Sequence, residues 1–296
     1  MSEASGTPGP ARSRRPAAAW ARAAEPAAPA VDVLIPTARG DAELAVTLAG
    51  LAAQDDPPFR VIVSDQTEHG ATAAPSVATI ARVLSAQGRD VEFHRRPERR
   101  GLAEQRQWLL DRSSAPHVLF LDDDVWLEPG ALARLDTALG ELGCGFVGFA
   151  VQGLSFLGED RPQERARLEL WGEGGVRPER VRRGEPAFER WPLHNAANLA
   201  HEAAARGLRG DERIPYKVAW IGGCVLYRRD ALIAAGGFDF WQRLPPTHAG
   251  EDVAAQWRVM EREGGAGILP SGAVHLEAPT TVRDRRVEAA DVVFGR

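Results

Sequence analysis

Residues 117–126, His117-Val118-Leu119-Phe120-Leu121-Asp122-Asp123-Asp124-Val125-Trp126, run an apolar segment directly into three carboxylates. Val118 to Leu121 reads as a strand buried on both faces. The aspartates at its end are a poor structural choice. Two like charges about 4 Å apart repel by roughly 4 kcal/mol at an effective dielectric near 20. A divalent cation reverses the sign of that penalty, because hard cations take oxygen ligands. In an extended backbone Asp122 and Asp124 point to one side and Asp123 to the other, so the outer pair can share an ion. The competing reading is an acidic, solvated turn in which Asp124 or a neighbour caps the helix after Pro129.

Working outward, the chain alternates strands and helices. Val31 to Ile35 is a strand ended by Pro36-Thr37, and residues 41–53 carry Leu44, Leu48 and Leu51 at helical spacing. Residues 59–63 form a second strand that runs out at Ser64-Asp65, followed by a helix near 75–87 and a short strand at 91–93. Gly101 opens a helix, and the strand 117–121 follows it. This alternation predicts an α/β fold with a mostly parallel central sheet flanked by helices. Ligands of such sheets sit beyond the carboxyl ends of the strands, where Asp65 and the aspartate triplet both fall.

Downstream, a helix at 129–140 and a strand near 145–151 precede a stretch of different character. Residues 153–215 mix charge, Gly, Pro and isolated aromatics without period, and read as an insertion over the sheet. Regularity returns with an expected strand at 217–221. Then come Gly222-Gly223, a strand at 225–227, a helix at 229–235 and a helix from Glu251 to Glu263. Short strands at 268–269 and 273–274 close the pattern. Residues 1–30 hold few large apolar side chains and four arginines against two glutamates, so they read as a disordered tail. That balance allows a weak peripheral contact with an anionic membrane surface. The polar residues 281–296 read as a C-terminal tail, which leaves 31–280 as one domain.

Composition narrows the function. A net charge of −5 gives no reason to expect nucleic acid as a partner. Arginine almost replaces lysine, since Lys217 is the only lysine. Cys144 and Cys224 fit no disulfide framework or metal spacing, and are expected as buried thiols in the cytoplasm. No stretch has the roughly 20 apolar residues of a membrane span, and no signal-peptide core precedes residue 31.

Three further stretches carry candidate chemistry. Gly250-Glu251-Asp252-Val253 places two carboxylates at a helix start, where they either favour the helix dipole or hold a general base at a pocket edge. His275 ends a short strand, either as a structural residue or as a third donor for a cation. Arg99-Arg100-Gly101-Leu102-Ala103-Glu104-Gln105-Arg106 places basic residues around a helix start that can receive phosphate on its backbone N–H groups. A Walker sequence, a G-x-G-x-x-G after the first strand, H-E-x-x-H and G-x-S-x-G are all absent.

In this order the segments resemble glycosyltransferase family 2, with the GT-A fold, over about residues 31–276. Asp32 to Thr37 resembles the opening strand, whose loop with Pro36 and Thr37 holds the nucleotide. Val61 to Asp65 resembles the second strand, where Asp65 would contact the nucleobase. Residues 100–106 resemble the segment that brings Gly101 and Arg106 to the donor. Leu119 to Asp124 resembles the D-x-D motif, which implies Mg²⁺ or Mn²⁺ on Asp124, Asp122 and His275, with Asp122 and Asp123 also on the donor. Residues 222–232 resemble the acceptor-side segment, with Gly222, Gly223 and Trp220 nearby. Glu251-Asp252 resembles the E-D pair whose aspartate is the base of inverting members. The departures are Gln66 where a second aspartate is usual, Gln107 where asparagine is usual, and Ala38-Arg39 in the first loop.

The resemblance implies a metal-dependent, inverting glycosyltransferase with Asp252 as base and Glu251 as its partner. Its donor would be a UDP-, GDP- or dTDP-sugar, and its acceptor a sugar, a lipid-linked glycan or a small molecule. A retaining enzyme on the same fold would keep the metal site without the base. A nucleotidyltransferase would carry a Gly-rich, Lys- or Arg-bearing first loop, which is absent here. A non-catalytic nucleotide-sugar-binding protein would not need the E-D pair.

Overall fold

The computed structural model describes residues 13–24, 27–38, 41–159, 161–194, 197–282 and 285–295. Its first half is the expected alternation. It runs β1 (Val31–Thr37), α1 (Asp41–Ala52), β2 (Phe59–Asp65), α2 (Pro75–Ala86), β3 (Val91–Arg95), α3 (Leu102–Arg112) and β4 (His117–Leu121). A short β5 (Val125–Leu127), not foreseen in the sequence, precedes α4 (Ala131–Leu142) and β6 (Phe146–Gly148). The insertion holds β7 (Gln152–Gly153), α5 (Pro162–Arg165), a 3₁₀ helix (Pro186–His194), α6 (Ala197–Ala205) and β8 (Ile214–Tyr216). The remainder is β9 (Cys224–Arg228), α7 (Arg229–Ala234), α8 (Glu251–Glu263), β10 (Gly265–Leu269), β11 (Ala273–His275) and α9 (Ala289–Phe294).

The main sheet has the order β3-β2-β1-β4-β9-β6-β10-β8, and β5, β11 and β7 form a small second sheet. β1, β2, β3 and β4 pair in parallel, as do β6 and β10, whereas β9 runs antiparallel to β4 and β6. Each central strand is buried on both faces, and alternation divides its residues between two cores. Leu34, Ile62, Val118 and Phe120 face the layer of α3, α7, α8 and α9. Val33, Val61, Leu119 and Leu121 face α1, α2 and α4. The parallel register sets Thr37 opposite Asp65, which puts the strand ends, and hence the aspartate triplet, along one rim.

The structure changes four expectations. The strand expected at 217–221 is displaced to Ile214–Tyr216, the sheet edge antiparallel to β10. Residues 217–221 leave the sheet because α8 captures them. Gln256 accepts from Ile221 N–H (2.8 Å) and donates to Ile221 O (2.7 Å), while Trp257 Nε1–H donates to Ala219 O (2.9 Å). Residues 13–24, expected within a disordered tail, pack through arginine rather than through apolar surface. Arg14 pairs with Asp55 (2.7 Å) and Arg15 N–H donates to Gln87 O (3.2 Å). Residues 1–12, 25 and 26 of that expected tail lie outside the described residues. The polar C-terminal tail contains α9, since Ala289 and Ala290 bury themselves and Phe294 meets Trp257 at 5.8 Å. Residues 283, 284 and 296 of that segment lie outside the described residues. The aspartate triplet, fourth, is not extended. Val125 N–H donates to Asp122 O (3.3 Å), and the resulting turn breaks the expected alternation.

Cys144 and Cys224 are buried free thiols, and burial pushes them up to about 11 and about 12. No helix among the described residues is long and apolar enough to cross a membrane.

The edge pairing depends on Gly267. A Cβ there would lie 2.1 Å from the Tyr216 ring, which is fully buried and has no room to retreat. Gly267→Ala should therefore destabilise the fold by about 1–3 kcal/mol, the usual range for overpacking, as a lowered urea midpoint with an unchanged m-value.

Candidate functional site

Arg106, on the buried face of α3, lies at the centre of the rim. Its NH2 donates to Asp122 Oδ1 (2.8 Å) and its Nε to Glu251 Oε1 (3.1 Å). Burial alone would lower its pKa, but Asp122, Glu251 and Asp252 outweigh burial and raise it, so the guanidinium stays charged. The three groups come from α3, the end of β4 and the start of α8. The resemblance put Arg106 on the donor, but here its guanidinium is taken up by two carboxylates.

The turn sends the three aspartates in different directions. Asp122 goes to Arg106. Asp123 Oδ2 accepts from Thr37 Oγ1 at 2.6 Å, which ties the end of β4 to the end of β1. Buried Asp124 approaches His275 of β11, with Oδ2 and Nε2 3.4 Å apart. The expected metal set is thus brought together as Asp124 with His275, while Asp122 is held by Arg106. No group of three or more His, Cys, Asp or Glu gathers around a common point among the described residues. The pair still fits a divalent cation, since it offers one carboxylate oxygen and one imidazole nitrogen and leaves further positions for a ligand's oxygens.

Glu251 and Asp252 open α8 together. Burial raises Glu251 above the ordinary carboxylate range, against the pull of Arg106. Burial, then the charge of Glu251, pushes Asp252 up to about 7, again against Arg106. A Cβ on Gly222 would lie 3.8 Å from Asp252 Oδ2, so the two expected stretches meet here and the glycine leaves that oxygen approachable. Gly223, beside it, accepts the Asp122 N–H through its carbonyl at 2.9 Å.

Two expected donor positions are engaged otherwise. Asp65 Oδ1 accepts from Thr67 N–H (2.8 Å) and Thr67 Oγ1 (2.6 Å), and its Oδ2 accepts from Ala71 N–H (2.8 Å). A buried carboxylate needs such donors, and here the following loop supplies them. Gly101, with φ +105°, makes room for His248, because a Cβ there would lie 2.5 Å from the imidazole Cε1. The N–H of Ala103 at the start of α3 donates to His248 Nε2 (3.2 Å), in the place where a phosphate was expected. Burial lowers the His248 pKa, so the ring is neutral, with Nδ1–H donating to Pro245 O (2.8 Å). Pro36 stays inside β1 opposite Ser64. Trp220 is half-buried, with its ring stacked on His194 at 4.9 Å and flanked by Phe188 at 5.9 Å. Trp191 continues this row beyond His194 and is 46% exposed.

His248 and Gln105 escaped the sequence reading. Gln105 Nε2 donates to Ser64 O (2.7 Å) and Thr37 O (3.3 Å), stitching α3 to the ends of β1 and β2. The only local signal for His248 was its place just before Gly250-Glu251-Asp252.

The model of the family described as "Glycosyl transferase family 2" matches residues 32–234. The chain belongs to glycosyl transferase family 2. Solved structures agree on its GT-A fold. The Staphylococcus aureus TarS 1–349 structure superposes with a TM-score of 0.54 at 15% identity, over 83% of this chain and 60% of that one. The mannosyltransferase PcManGT from Pyrobaculum calidifontis, in complex with GDP-Man and Mn²⁺, gives 0.54 at 17% identity, over 89% of this chain and 63% of that one. A TarS complex with UDP-GlcNAc gives 0.52 at 14% identity, over 84% and 61%. This family 2 chain therefore spans less than two thirds of those solved chains. A search of curated protein sequences finds no match.

Arg106 is the group whose loss this network tolerates least. Arg106→Ala leaves Asp122 and Glu251 without their cation and should cost about 3–5 kcal/mol, as for one partner removed from a buried pair. The loss should be largest near pH 8 and smaller near pH 5, where Asp252, pushed up to about 7, takes up its proton. Urea unfolding at the two pH values measures it.

Proposed function

We propose that the protein moves a sugar from a nucleoside-diphosphate sugar to an acceptor hydroxyl with inversion, using Asp252 as the general base. The observation that carries this reading is Asp252 itself, a carboxyl pushed up to about 7 at the head of a rigid helix and open toward Gly222. A base that titrates near the working pH is matched to taking a proton from an alcohol that becomes acidic only in the transition state. The acceptor oxygen bonds to the anomeric carbon as its proton passes to Asp252. The bond from that carbon to the diphosphate breaks on the opposite face, and its electron pair leaves on the phosphate oxygen.

Asp124 and His275 would hold Mg²⁺ or Mn²⁺, which when bound supplies positive charge for the departing diphosphate. Support comes from the 3.4 Å approach of these two side chains and from the presence of Mn²⁺ with GDP-Man in the PcManGT structure. Thr37 and Asp123 line the donor side of the rim. Arg106 fixes Asp122 relative to Glu251, and Glu251, when ionised, favours the protonated form of Asp252 beside it. The row Trp220, His194 and Trp191 leads away from Gly222 on the acceptor side.

Asp252→Asn should bind nucleoside diphosphate as the parent does and lose transfer by orders of magnitude. Turnover at the parental rate would remove Asp252 as base. In the parent, kcat/KM should fall about tenfold per pH unit below about 7 and level off above it, because the base must be deprotonated. Glu251→Gln should move that limb to lower pH, since a negative neighbour is gone. The NMR coupling constant of the product's anomeric proton reports inversion directly.

Asp124→Ala should abolish the strengthening of UDP or GDP binding by Mn²⁺ in calorimetric titrations. Equal affinity with and without Mn²⁺ in the parent would count against the metal role.

A further inference from the structure

The family match stops at residue 234, yet the chain beyond it closes over the loop that leads into α8 and Asp252. After β11, Leu276 N–H donates to the Asp124 carbonyl at 2.8 Å. The chain then reaches the other side of the rim, where residues 287–289 run beside Ala249 as a parallel bridge. Both backbone groups of Ala249 are taken there. Its N–H donates to Val287 O (3.0 Å), and its carbonyl accepts the Ala289 N–H (2.8 Å). Gly250 follows with φ +71°, a left-handed backbone that favours glycine, and the end of the Glu288 side chain lies against it.

Further contacts fix the other end of the segment. Phe294 packs on Trp257 of α8, and the Arg182 guanidinium lies over the Phe294 ring at 3.6 Å. Arg183 of the insertion pairs with Glu288 and with Asp291, each at 3.5 Å. On the opposite side His248 ties the same loop to α3. Ala249 is therefore gripped from two directions, three residues before Asp252.

We propose that residues 287–294 are a clamp that positions Asp252 for proton transfer, with the Ala289 N–H as its decisive bond. This rests on the reading of Asp252 as the base. Loop residues would otherwise sample many conformers, and a misplacement of about 1 Å in a reacting group can lower the rate on the order of 100-fold. Ala289 is a positioning residue, acting through the loop rather than on substrate.

Ala289→Pro removes that one N–H. Ala289 is the first residue of α9 and Glu288 before it is extended (φ −97°, ψ 124°), so proline suits the backbone angles there, and its Cδ pushes the Ala249 carbonyl away. Arg183→Ala, which removes the Arg183 ion pairs of Glu288 and Asp291 without touching the bridge, is the second variant. Hydrogen exchange of the peptide covering residues 245–252 should quicken in both, more in Ala289→Pro, with β1 and β4 unchanged. Nucleoside diphosphate release from UDP-GlcNAc and GDP-mannose with Mn²⁺ should show kcat falling about 10- to 100-fold and donor KM unchanged. In an Asp252→Asn background the same substitution should lower the residual rate no further.

Unchanged exchange at residues 245–252 in both variants overturns the clamp. So does an equal fold-loss in the parental and Asp252→Asn backgrounds, since that loss would not act through the base. Parental turnover by Asp252→Asn alone removes the base assignment instead, and the exchange result still reports whether the clamp holds the loop.

Discussion

The guanidinium of Arg106 is the constraint on which the site depends. It joins α3 to the end of β4 and the start of α8, three elements far apart in sequence, through two bonds near 3 Å. A buried ion pair adds little net stability relative to apolar packing, but losing one partner is costly. Its value here lies in geometry. The carboxylates of Asp122 and Glu251 cannot separate without leaving a buried cation unpaired, so the spacing across the rim is set by one side chain.

That constraint also shapes the electrostatics. Among the described residues Arg106 is the cation that faces Asp122, Glu251 and Asp252, and Glu251 is buried beside it. Burial and mutual repulsion then raise Glu251 and Asp252, and the second takes its value near 7 as the carboxyl without a direct Arg106 hydrogen bond. Asp124, turned away from this group, meets His275 instead. The same three-residue run therefore meets His275, ties β4 to β1 and enters the arginine network, and the turn at residues 122–125 is what separates these roles.

The start of α8 is secured from several sides. His248 holds the preceding loop to α3, Gln256 and Trp257 hold the segment before Gly222, and residues 287–294 cover the outer flank. Each tie uses backbone amides or carbonyls as partners. Such contacts leave little trace in a sequence, because any residue type can supply the backbone half.

The sequence by itself determined the α/β alternation, the two-faced burial of β4 and the gathering of Thr37, Asp65 and the aspartates at strand ends. Those follow from local periodicity and from the register of parallel strands, which are properties of neighbouring residues. It also marked Gly222 and Asp252 as separate stretches of interest. Only the tertiary structure brought them together, turned Asp122 toward Arg106, engaged both oxygens of Asp65 with its own loop, and filled the start of α3 with His248 in place of an open phosphate site. It likewise moved the edge strand to Ile214–Tyr216 and recruited α9 from an apparently polar tail. The physical reason is the same in each case. A buried polar group takes whichever partner the packing delivers within about 3 Å, and that partner is chosen by the fold of the whole chain rather than by nearby sequence.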